Sequence, residues 1–232
     1  MSRTLIAALL GLTSVTVAQQ PNTLTADEKT AGWAPLFDGK TTTGWHGYGK
    51  KDAPAGWRVV GGELTRVGIA GDLVTSKAYR NFELAIEWKI AAGGNSGIFY
   101  RGVEHRDWMK NPLYYSAPEM QVLDDAKHPD GQSPLTSAGS DYALYPAPRG
   151  VVKAAGQWNA ARIVVNGNHV EHWLNGQKVV EYELGSADWL DRVRKSKFVA
   201  WPAYGKAAEG VIGIQDHGDR VAYRSIKIRV LP

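Results

Sequence analysis

The chain contains no cysteine among its 232 residues. This absence excludes disulfide bonds, thiolate metal sites, a cysteine nucleophile and a lipid anchor on an N-terminal cysteine. A phosphate-binding glycine loop, a GxSxG nucleophile turn and an HExxH zinc helix are also missing. No repeat of 20 to 50 residues is visible in the sequence, which excludes solenoids and propellers. A chain of this length buries roughly 70% of its unfolded surface, so it needs no covalent cross-links to fold.

The sequence also lacks an apolar run long enough to span a membrane. A short apolar run at residues 5–12 follows Arg3 and precedes the small or modest side chains of residues 16–18. This pattern is typical of a secretory signal peptide. We therefore expect a signal peptide over residues 1–18, a flexible leader over 19–31, and export to the periplasm or the medium. No glycine-serine or proline-rich linker divides residues 32–232, which we interpret as one domain.

The formal net charge is +4, but the basic residues do not form a separate patch. Even the densest basic cluster lies beside two acids; its members are Arg192, Arg194, Lys195 and Lys197, next to Asp188 and Asp191. Mixed charges of this kind are typical of an ordinary solvated surface. We expect no nucleic-acid partner. The sequence gives no indication of the oligomeric state, because it contains no heptad repeats.

Glycine (26 residues) and tryptophan (9 residues) are abundant, which favours an all-β domain. Residues 82–90 alternate between large apolar and polar or small side chains, as a half-buried strand does. Further strands are predicted by the same alternation, and Asn175-Gly176 marks a tight hairpin. These strands cover residues 96–101, 119–123, 162–166, 169–174, 177–183, 211–217 and 221–230. Many antiparallel strands with short turns predict two packed sheets.

One helix is predicted after Ser186, which can cap it, with an apolar stripe of Trp189, Leu190 and Val193. The segments 103–118 and 124–150 show little periodicity and contain six prolines. Long loops inside a compact domain are usually functional. We expect them to border a polar face of one sheet and to shape a cleft.

Polar side chains on the predicted strands mark this face. The candidates are Glu87, Arg101, Glu119, Gln121, Gln215 and His217. Amides, a histidine and charged groups together suit a carbohydrate site, because they bond hydroxyl groups as donors and as acceptors. Three of them also fit structural roles. Glu87 fits a surface pair with Lys89, Arg101 an internal ion pair, and His217 a turn beside Gly218.

The spacing of Glu119, Gln121 and Asp124 is similar to that of glycosidases with two carboxylates on alternate strand positions. Asp124 would lie on the opposite face from Glu119 unless the strand breaks, so the match is loose. A divalent cation is another possibility in the loop that follows, where the oxygen and nitrogen ligands would be Asp124, Asp125, His128 and Asp130. Solvated loop acids are the alternative interpretation of this group.

An ordered set of short motifs resembles the 3-keto-disaccharide hydrolase domain family, a branch of the concanavalin-A-like sandwiches. The motifs cover nearly all of residues 32–230, and the ordered set is far more specific than any single piece. They lie at residues 32–40, 44–45, 61–64, 81–84, 94–101, 119–124, 157–159, 174–176, 213–218 and 223–226. Ser225 departs from the family, which usually has asparagine after the arginine at that point.

The resemblance implies a jelly-roll sandwich that acts on glycosides already oxidised at C3. A ketone at C3 acidifies the hydrogen on C2, so a general base can remove it and the enolate can expel the C1 substituent. We assign Glu119 or His217 as the base and Arg101 as the group that stabilises the enolate or orients Glu119. Substrate hydroxyls would be bound by Gln121, Gln215, Asn95, Glu87 and Asp216. A divalent metal is an optional electrophile.

Three functions therefore remain for this chain. The first is an enzyme that cleaves 3-keto-glycosides by C2 deprotonation, β-elimination and hydration. The second is a conventional glycosidase with two carboxylates. The third is a non-catalytic sugar-binding module, since the same sandwich class also serves lectins.

Overall fold

The computed structural model describes residues 19–232. The predicted signal peptide over residues 1–18 lies outside the described residues. Among the described residues no helix is long and apolar enough to cross a membrane. The strands, in chain order, are β1 Trp33–Pro35, β2 Trp45–Gly47, β3 Trp57–Val60, β4 Glu63–Arg66, β5 Leu73–Tyr79, β6 Phe82–Ile90, β7 Asn95–Gly102, β8 Glu119–Leu123, β9 Asn159–Asn166, β10 His169–Leu174, β11 Gln177–Glu183, β12 Gly210–Ile214 and β13 Val221–Val230. The α-helices are α1 Ala26–Thr30 and α2 Ala187–Arg194.

The strands form two antiparallel sheets, which confirms the predicted all-β, two-sheet sandwich. The larger sheet has the order β11-β10-β9-β6-β13-β4-β3, and β1 pairs with β13 at its side. The smaller sheet has the order β2-β5-β12-β7-β8. Neighbours in each sheet often come from distant parts of the chain, so the candidate residues of β7, β8 and β12 meet only through this topology.

Alternation along each strand builds the core between the sheets. In β6 the side chains of Leu84, Ile86 and Trp88 are almost fully buried and pack into one apolar cluster with the inner side chains of the smaller sheet, such as Ile98 and Ile214. Burial of each such side chain contributes roughly 1.5–3 kcal/mol of transfer free energy. The outward side of the same strands is left for polar residues.

A buried polar contact also joins the two sheets. The hydroxyl of Tyr100 on β7 lies 2.9 Å from Nε2 of His172 on β10 and contacts the hydroxyl of Tyr182 on β11. Nδ1 of His172 lies 3.1 Å from the carbonyl oxygen of Gly139, so a neutral imidazole donates there and accepts at Nε2. Burial lowers the pKa of His172 to about 4, which keeps it neutral.

Several local features differ from the sequence prediction, which did not include strands β1–β5 and began β9 at residue 162 rather than at Asn159. The segment 19–31 was expected to be a flexible leader, but it carries α1, which Thr25 and Glu28 cap reciprocally. Asn22 Oδ1 accepts a 2.8 Å hydrogen bond from the Ser225 amide, which ties this segment to β13. Helix α2 follows its predicted Ser186 cap, and together with α1 it gives residues 19–232 two α-helices where one was predicted. Strand β12 ends at Ile214, three residues before the predicted end.

The loop 103–118 covers part of the outer face of the smaller sheet. Leu113, in a 3-10 turn, is fully buried on that face and packs with Phe99 and Val211 in a second, small apolar cluster. Gly102 and Gly213 make this contact possible, because a Cβ at either position would lie within 2.6 Å of Leu113. The rest of this outer face stays open, and the candidate site lies there.

Candidate active site

A cavity of about 350 Å³ opens on the outer face of the smaller sheet. Strands β7 and β8 contribute its floor, the end of β12 one wall, and the loops 113–117 and 197–201 the opposite wall. It is lined by Asn95, Tyr114, Ala117, Glu119, Gln121, Tyr142, Lys197, Phe198, Trp201, Gln215 and His217. Five of these are predicted site residues, so the structure brings together the two candidate bases and the three amides.

Glu119 is the acid of this cavity. Its residue is only 8% exposed, and no hydrogen-bond donor reaches its carboxylate among residues 19–232. Burial raises the pKa of Glu119 to about 8, while the positive charge of Lys197 opposes the rise. An acid with a pKa near neutrality can take a proton and return it, which is the property a general acid-base group needs.

Three amide side chains surround this acid with unused acceptors. The side-chain oxygens of Asn95, Gln121 and Gln215 are buried and have no hydrogen-bond partner. Gln121 uses its nitrogen, which donates to the carbonyl oxygen of Thr136 at 3.3 Å. A buried acceptor without a partner costs roughly 1–3 kcal/mol, so three of them in one cavity indicate a ligand that donates hydrogen bonds. Sugar hydroxyls are donors of this kind.

The rim of the cavity carries aromatic and cationic groups. His217 is exposed there, with its ring 6.4 Å from that of His128. Nζ of Lys197 lies 4.4 Å from the ring centre of Tyr142. Trp201 stacks on Tyr115 at 4.5 Å, which keeps one indole face against protein. The rim therefore offers an exposed imidazole, a cation and aromatic rings beside the buried acid.

Arg101 does not reach the cavity, which corrects its predicted role at the enolate. Its φ of +53° breaks the alternation of β7 and turns the side chain away from the outer face. The guanidinium donates to the carbonyl oxygens of Arg80, at 3.3 Å, and of Gly167. Arg101 is therefore a buried structural residue at the end of the sandwich.

Glu87 and Asp216 also lie away from the cavity. Glu87 belongs to the larger sheet, where its carboxylate accepts a 2.7 Å hydrogen bond from Arg224. Asp216 accepts hydrogen bonds from the amides of Ala70 and Gly71 at 2.8 and 2.7 Å, and one from Arg66 at 2.5 Å. Burial alone would raise the pKa of Asp216, but these hydrogen bonds outweigh it and lower the pKa.

The predicted cation group in the loop 124–130 does not fit a metal. Asp124 accepts a 2.7 Å hydrogen bond from the Gly93 amide, and Asp125 accepts one of 2.8 Å from the Ala138 amide. His128 Nδ1 accepts from the Asp130 amide at 3.1 Å. These groups stabilise the loop itself. The oxygens of Asn95, Gln121 and Gln215 are a better donor set for a hard cation, since they are free and lie beside a carboxylate.

Six lining residues had not been predicted as site residues: Tyr114, Ala117, Tyr142, Lys197, Phe198 and Trp201. In the sequence Lys197 belongs to the basic cluster that begins at Arg192, which is typical of a solvated surface. Nothing in its neighbours distinguishes it from Lys195. The one sequence feature that pointed to Tyr114 and Tyr142 was their position in long loops that have little periodicity and several prolines. The loop 197–201 follows α2, and its position over the smaller sheet depends on tertiary packing.

A larger cavity, of about 760 Å³, opens where β1, β2 and β5 meet the last residues of the chain. Its lining is mostly backbone and apolar side chains such as Leu36, Ile228 and Val230. None of the buried unpartnered polar atoms of the described residues belongs to it. The smaller cavity, with its acid and free amide oxygens, is therefore the better candidate for chemistry.

Comparison with known proteins identifies the family of the chain. Residues 32–229 match the model of the 3-keto-alpha-glucoside-1,2-lyase-like domain. The chain belongs to this family. A 3-keto-disaccharide hydrolase from Bacteroides thetaiotaomicron is 40% identical over 228 residues, which cover 86% of this chain and 79% of that protein. The family assignment confirms the predicted resemblance and the prediction of a glycoside-cleaving enzyme.

Solved structures support the same fold. A predicted glycosyl hydrolase from Parabacteroides distasonis has a TM-score of 0.86 and 35% identity, covering 92% of this chain and all of that one. A second structure from the same organism has a TM-score of 0.68 and 31% identity, covering 86% of this chain and 99% of the other.

Proposed function

We propose that this enzyme cleaves glycosides that carry a ketone at C3 of the sugar, by β-elimination. The observation that supports this proposal most directly is the buried carboxyl of Glu119. It faces the cavity, has a pKa of about 8 and lies among three amide oxygens without hydrogen-bond partners. The family of the chain and its relative from Bacteroides, a 3-keto-disaccharide hydrolase, support this substrate class.

In the proposed first step, ionised Glu119 removes the hydrogen on C2, and the electrons of that C–H bond form the enolate of the C3 ketone. The enolate then reforms the C3 carbonyl, a C1–C2 double bond forms, and the bond from C1 to the glycosidic oxygen breaks. The proton held by Glu119 is available to the leaving oxygen. Glu119 rather than His217 is proposed as the base, because it lies at the floor of the cavity and His217 lies exposed at its rim.

The developing enolate oxygen needs a positive partner. With Arg101 turned away, we assign this role to Lys197, whose charge already acts on Glu119 in the free enzyme. Asn95, Gln121 and Gln215 would accept hydrogen bonds from the sugar hydroxyls and orient C2 toward Glu119. A divalent cation, if bound, would be held by these three amide oxygens and would supply further positive charge to the sugar ketone.

Hydration would complete a net hydrolysis. Glu119, ionised again after the leaving oxygen has taken its proton, would remove a proton from water as the water oxygen adds to C1 of the unsaturated keto sugar, and it would then return that proton to C2. No other carboxyl group of residues 19–232 lines the cavity, which weighs against a conventional glycosidase with two carboxylates. A buried acid with a raised pKa that faces a cavity suits acid-base chemistry better than simple sugar binding, which weighs against a non-catalytic module.

The test is an incubation of the protein with a 3-keto-glucoside and with its unoxidised parent, each with and without a chelator. We expect release of the aglycone from the keto form only. Cleavage of the parent would identify a conventional glycosidase, and binding without release would identify a sugar-binding module. Loss of cleavage in the chelator arm would show that a cation takes part.

Export of the enzyme is a separate proposal, which rests on the signal-peptide pattern of residues 1–18. Cell fractionation of the full-length chain, with N-terminal sequencing of the product, tests it. Removal of residues 1–18 and recovery outside the cytoplasm are expected. Intact, cytoplasmic protein would contradict it.

A further inference from the structure

A second cavity, of about 450 Å³, adjoins the candidate active site, since Tyr114 lines both. The chemistry of its walls differs from that of the first cavity. It is lined by Tyr48, Lys50, Ile69, Ala70, Gly71, Asp72, Trp108, Met109, Pro112 and Tyr114. Aromatic and aliphatic side chains dominate here, whereas amides and ions dominate beside Glu119.

The apolar side chains of this second cavity are open to water. Ile69 is 95% exposed and Met109 is 76% exposed, while Trp108 and Tyr114 are each 36% exposed. These are four of the ten large exposed hydrophobic residues in the described chain, and they converge on one cavity. Grouped apolar exposure beside an active site is typical of a surface that binds an apolar part of a ligand.

The walls of this cavity are built in place. Asp216 holds one wall, because it binds the amides of Ala70 and Gly71 at 2.8 and 2.7 Å. Tyr48 holds the other, since its hydroxyl lies 2.7 Å from the carbonyl oxygen of Asn111, near the end of the loop that carries Trp108.

The indole of Trp108 is held by its neighbours. It packs over Gly49, where a Cβ would stand only 2.4 Å from Trp108 Cδ1. Nζ of Lys50 lies 5.4 Å from the indole centre and also donates to the carbonyl oxygen of Ala70 at 3.2 Å. Lys50 therefore joins the two walls, and the apolar surface is presented in a defined position.

We propose that this second cavity is the aglycone subsite and that it binds an aromatic ring attached through the oxygen at C1. The proposal rests on the proposed function, which places the sugar over Glu119 and the leaving group beside it. Tyr114 joins the two cavities, so a ring leaving the first one would contact Trp108 and Ile69. A flat ring gains contact with indole, phenol and aliphatic carbons at once, whereas a second sugar would find only Lys50, Asp72 and the two tyrosine hydroxyls as polar side chains.

The test compares 3-keto-glucosides with benzyl, methyl and glucosyl groups at C1. Benzyl alcohol and methanol are similarly acidic, so a difference between the first two reports binding of the ring and not leaving-group chemistry. We expect kcat/KM for the benzyl compound to exceed that for the methyl compound by about tenfold or more, the scale of burying one aromatic ring. The benzyl compound should also exceed the glucosyl compound.

Two variants localise the effect. Trp108→Ala and Ile69→Ser should each lower kcat/KM for the benzyl compound toward the methyl value and leave the methyl value within about twofold. Val60→Ser is the matched control, because Val60 is 45% exposed but lines none of these cavities. A wild-type enzyme without benzyl preference, a preference that survives both variants, or faster cleavage of the glucosyl compound would overturn the subsite. Failure to cleave any of the three compounds would instead overturn the proposed function.

Discussion

The carboxyl group of Glu119 lies across the backbone of Gly97 on the neighbouring strand. A Cβ on Gly97 would stand 1.9 Å from Glu119 Oε1, so no larger residue is compatible with this position of the acid. Gly97 pairs with Gln121 in the register of β7 and β8. The missing side chain of Gly97 therefore lets the acid lie flat on the sheet and reach the cavity.

Gly97→Ala should displace the carboxyl of Glu119 and reduce kcat by about 100-fold, the scale of losing a positioned acid-base group. The Tm should change only slightly, since the backbone conformation at position 97 suits alanine. Gly68→Ala is the control, because a Cβ there meets nothing within 4 Å. Equal activity of the two alanine variants would contradict the role of Gly97.

The pH dependence of catalysis follows from the pKa of Glu119, which burial raises to about 8. The base is the ionised form, which is present above this pKa, so kcat/KM should rise with pH and level off above about pH 8. Glu119→Gln should remove the rise and lower kcat by about 100-fold or more. His217→Ala should keep the rise. If His217→Ala removed it instead, His217 would be the base.

The same pKa predicts how stability depends on pH. Below about pH 4.5 the acid is protonated in both the folded and the unfolded chain. Between there and about pH 8 the unfolded chain releases the proton first, so folded wild-type protein loses stability as pH rises. Glu119→Gln should therefore become more stable than wild type, by at least about 2 kcal/mol at pH 9. Thermal or urea unfolding of both proteins at pH 5 and pH 9 measures this difference in stability. The same difference at the two pH values would contradict the prediction.

Lys197 should act on Glu119 through its charge. Lys197→Met should lower kcat by about tenfold or more, the scale of losing one group that stabilises developing charge. It should also shift the pH midpoint upward, since this cation lowers the pKa of Glu119. Lys197→Arg should restore both in part. Lys195→Met is the control, because Lys195 pairs with Asp191 at 2.6 Å on the surface. If the midpoint of the pH profile were unchanged in Lys197→Met, Lys197 would not act on Glu119 through its charge.

Arg101 should prove structural and not catalytic. Arg101→Met would leave the carbonyl oxygens of Arg80 and Gly167 without their donor. We expect a loss of about 1–3 kcal/mol in the free energy of unfolding. The kcat of the folded fraction should stay within about threefold of wild type. A large fall in kcat without a fall in stability would show that Arg101 acts in catalysis.

Much of the candidate site could be predicted from the sequence because strand alternation is local. Glu119 and Gln121 stand two residues apart on β8 and line the cavity, whereas Met120 and Val122 between and beside them belong to the core between the sheets. The period of two therefore decides which side chains leave the core. The strands β6 and β13 also match their predicted bounds, since turn residues mark both ends.

The remaining predictions depended on contacts between distant parts of the chain. Glu87 shows the same local pattern as Glu119, yet its strand pairs with β9 and β13 in the other sheet. Asp216 stands between Gln215 and His217, yet it points to the amides of residues 70 and 71.

The sequence by itself determined strands β6–β13, the inner and outer side of most of their residues, and the family of the chain. Only the tertiary structure decided which outer residues share a sheet, that Lys197 and Tyr114 close over the acid, and that Arg101 turns inward. The reason is physical. Alternation and turn chemistry act over a few residues, whereas strand pairing and loop docking depend on packing between segments far apart in the chain.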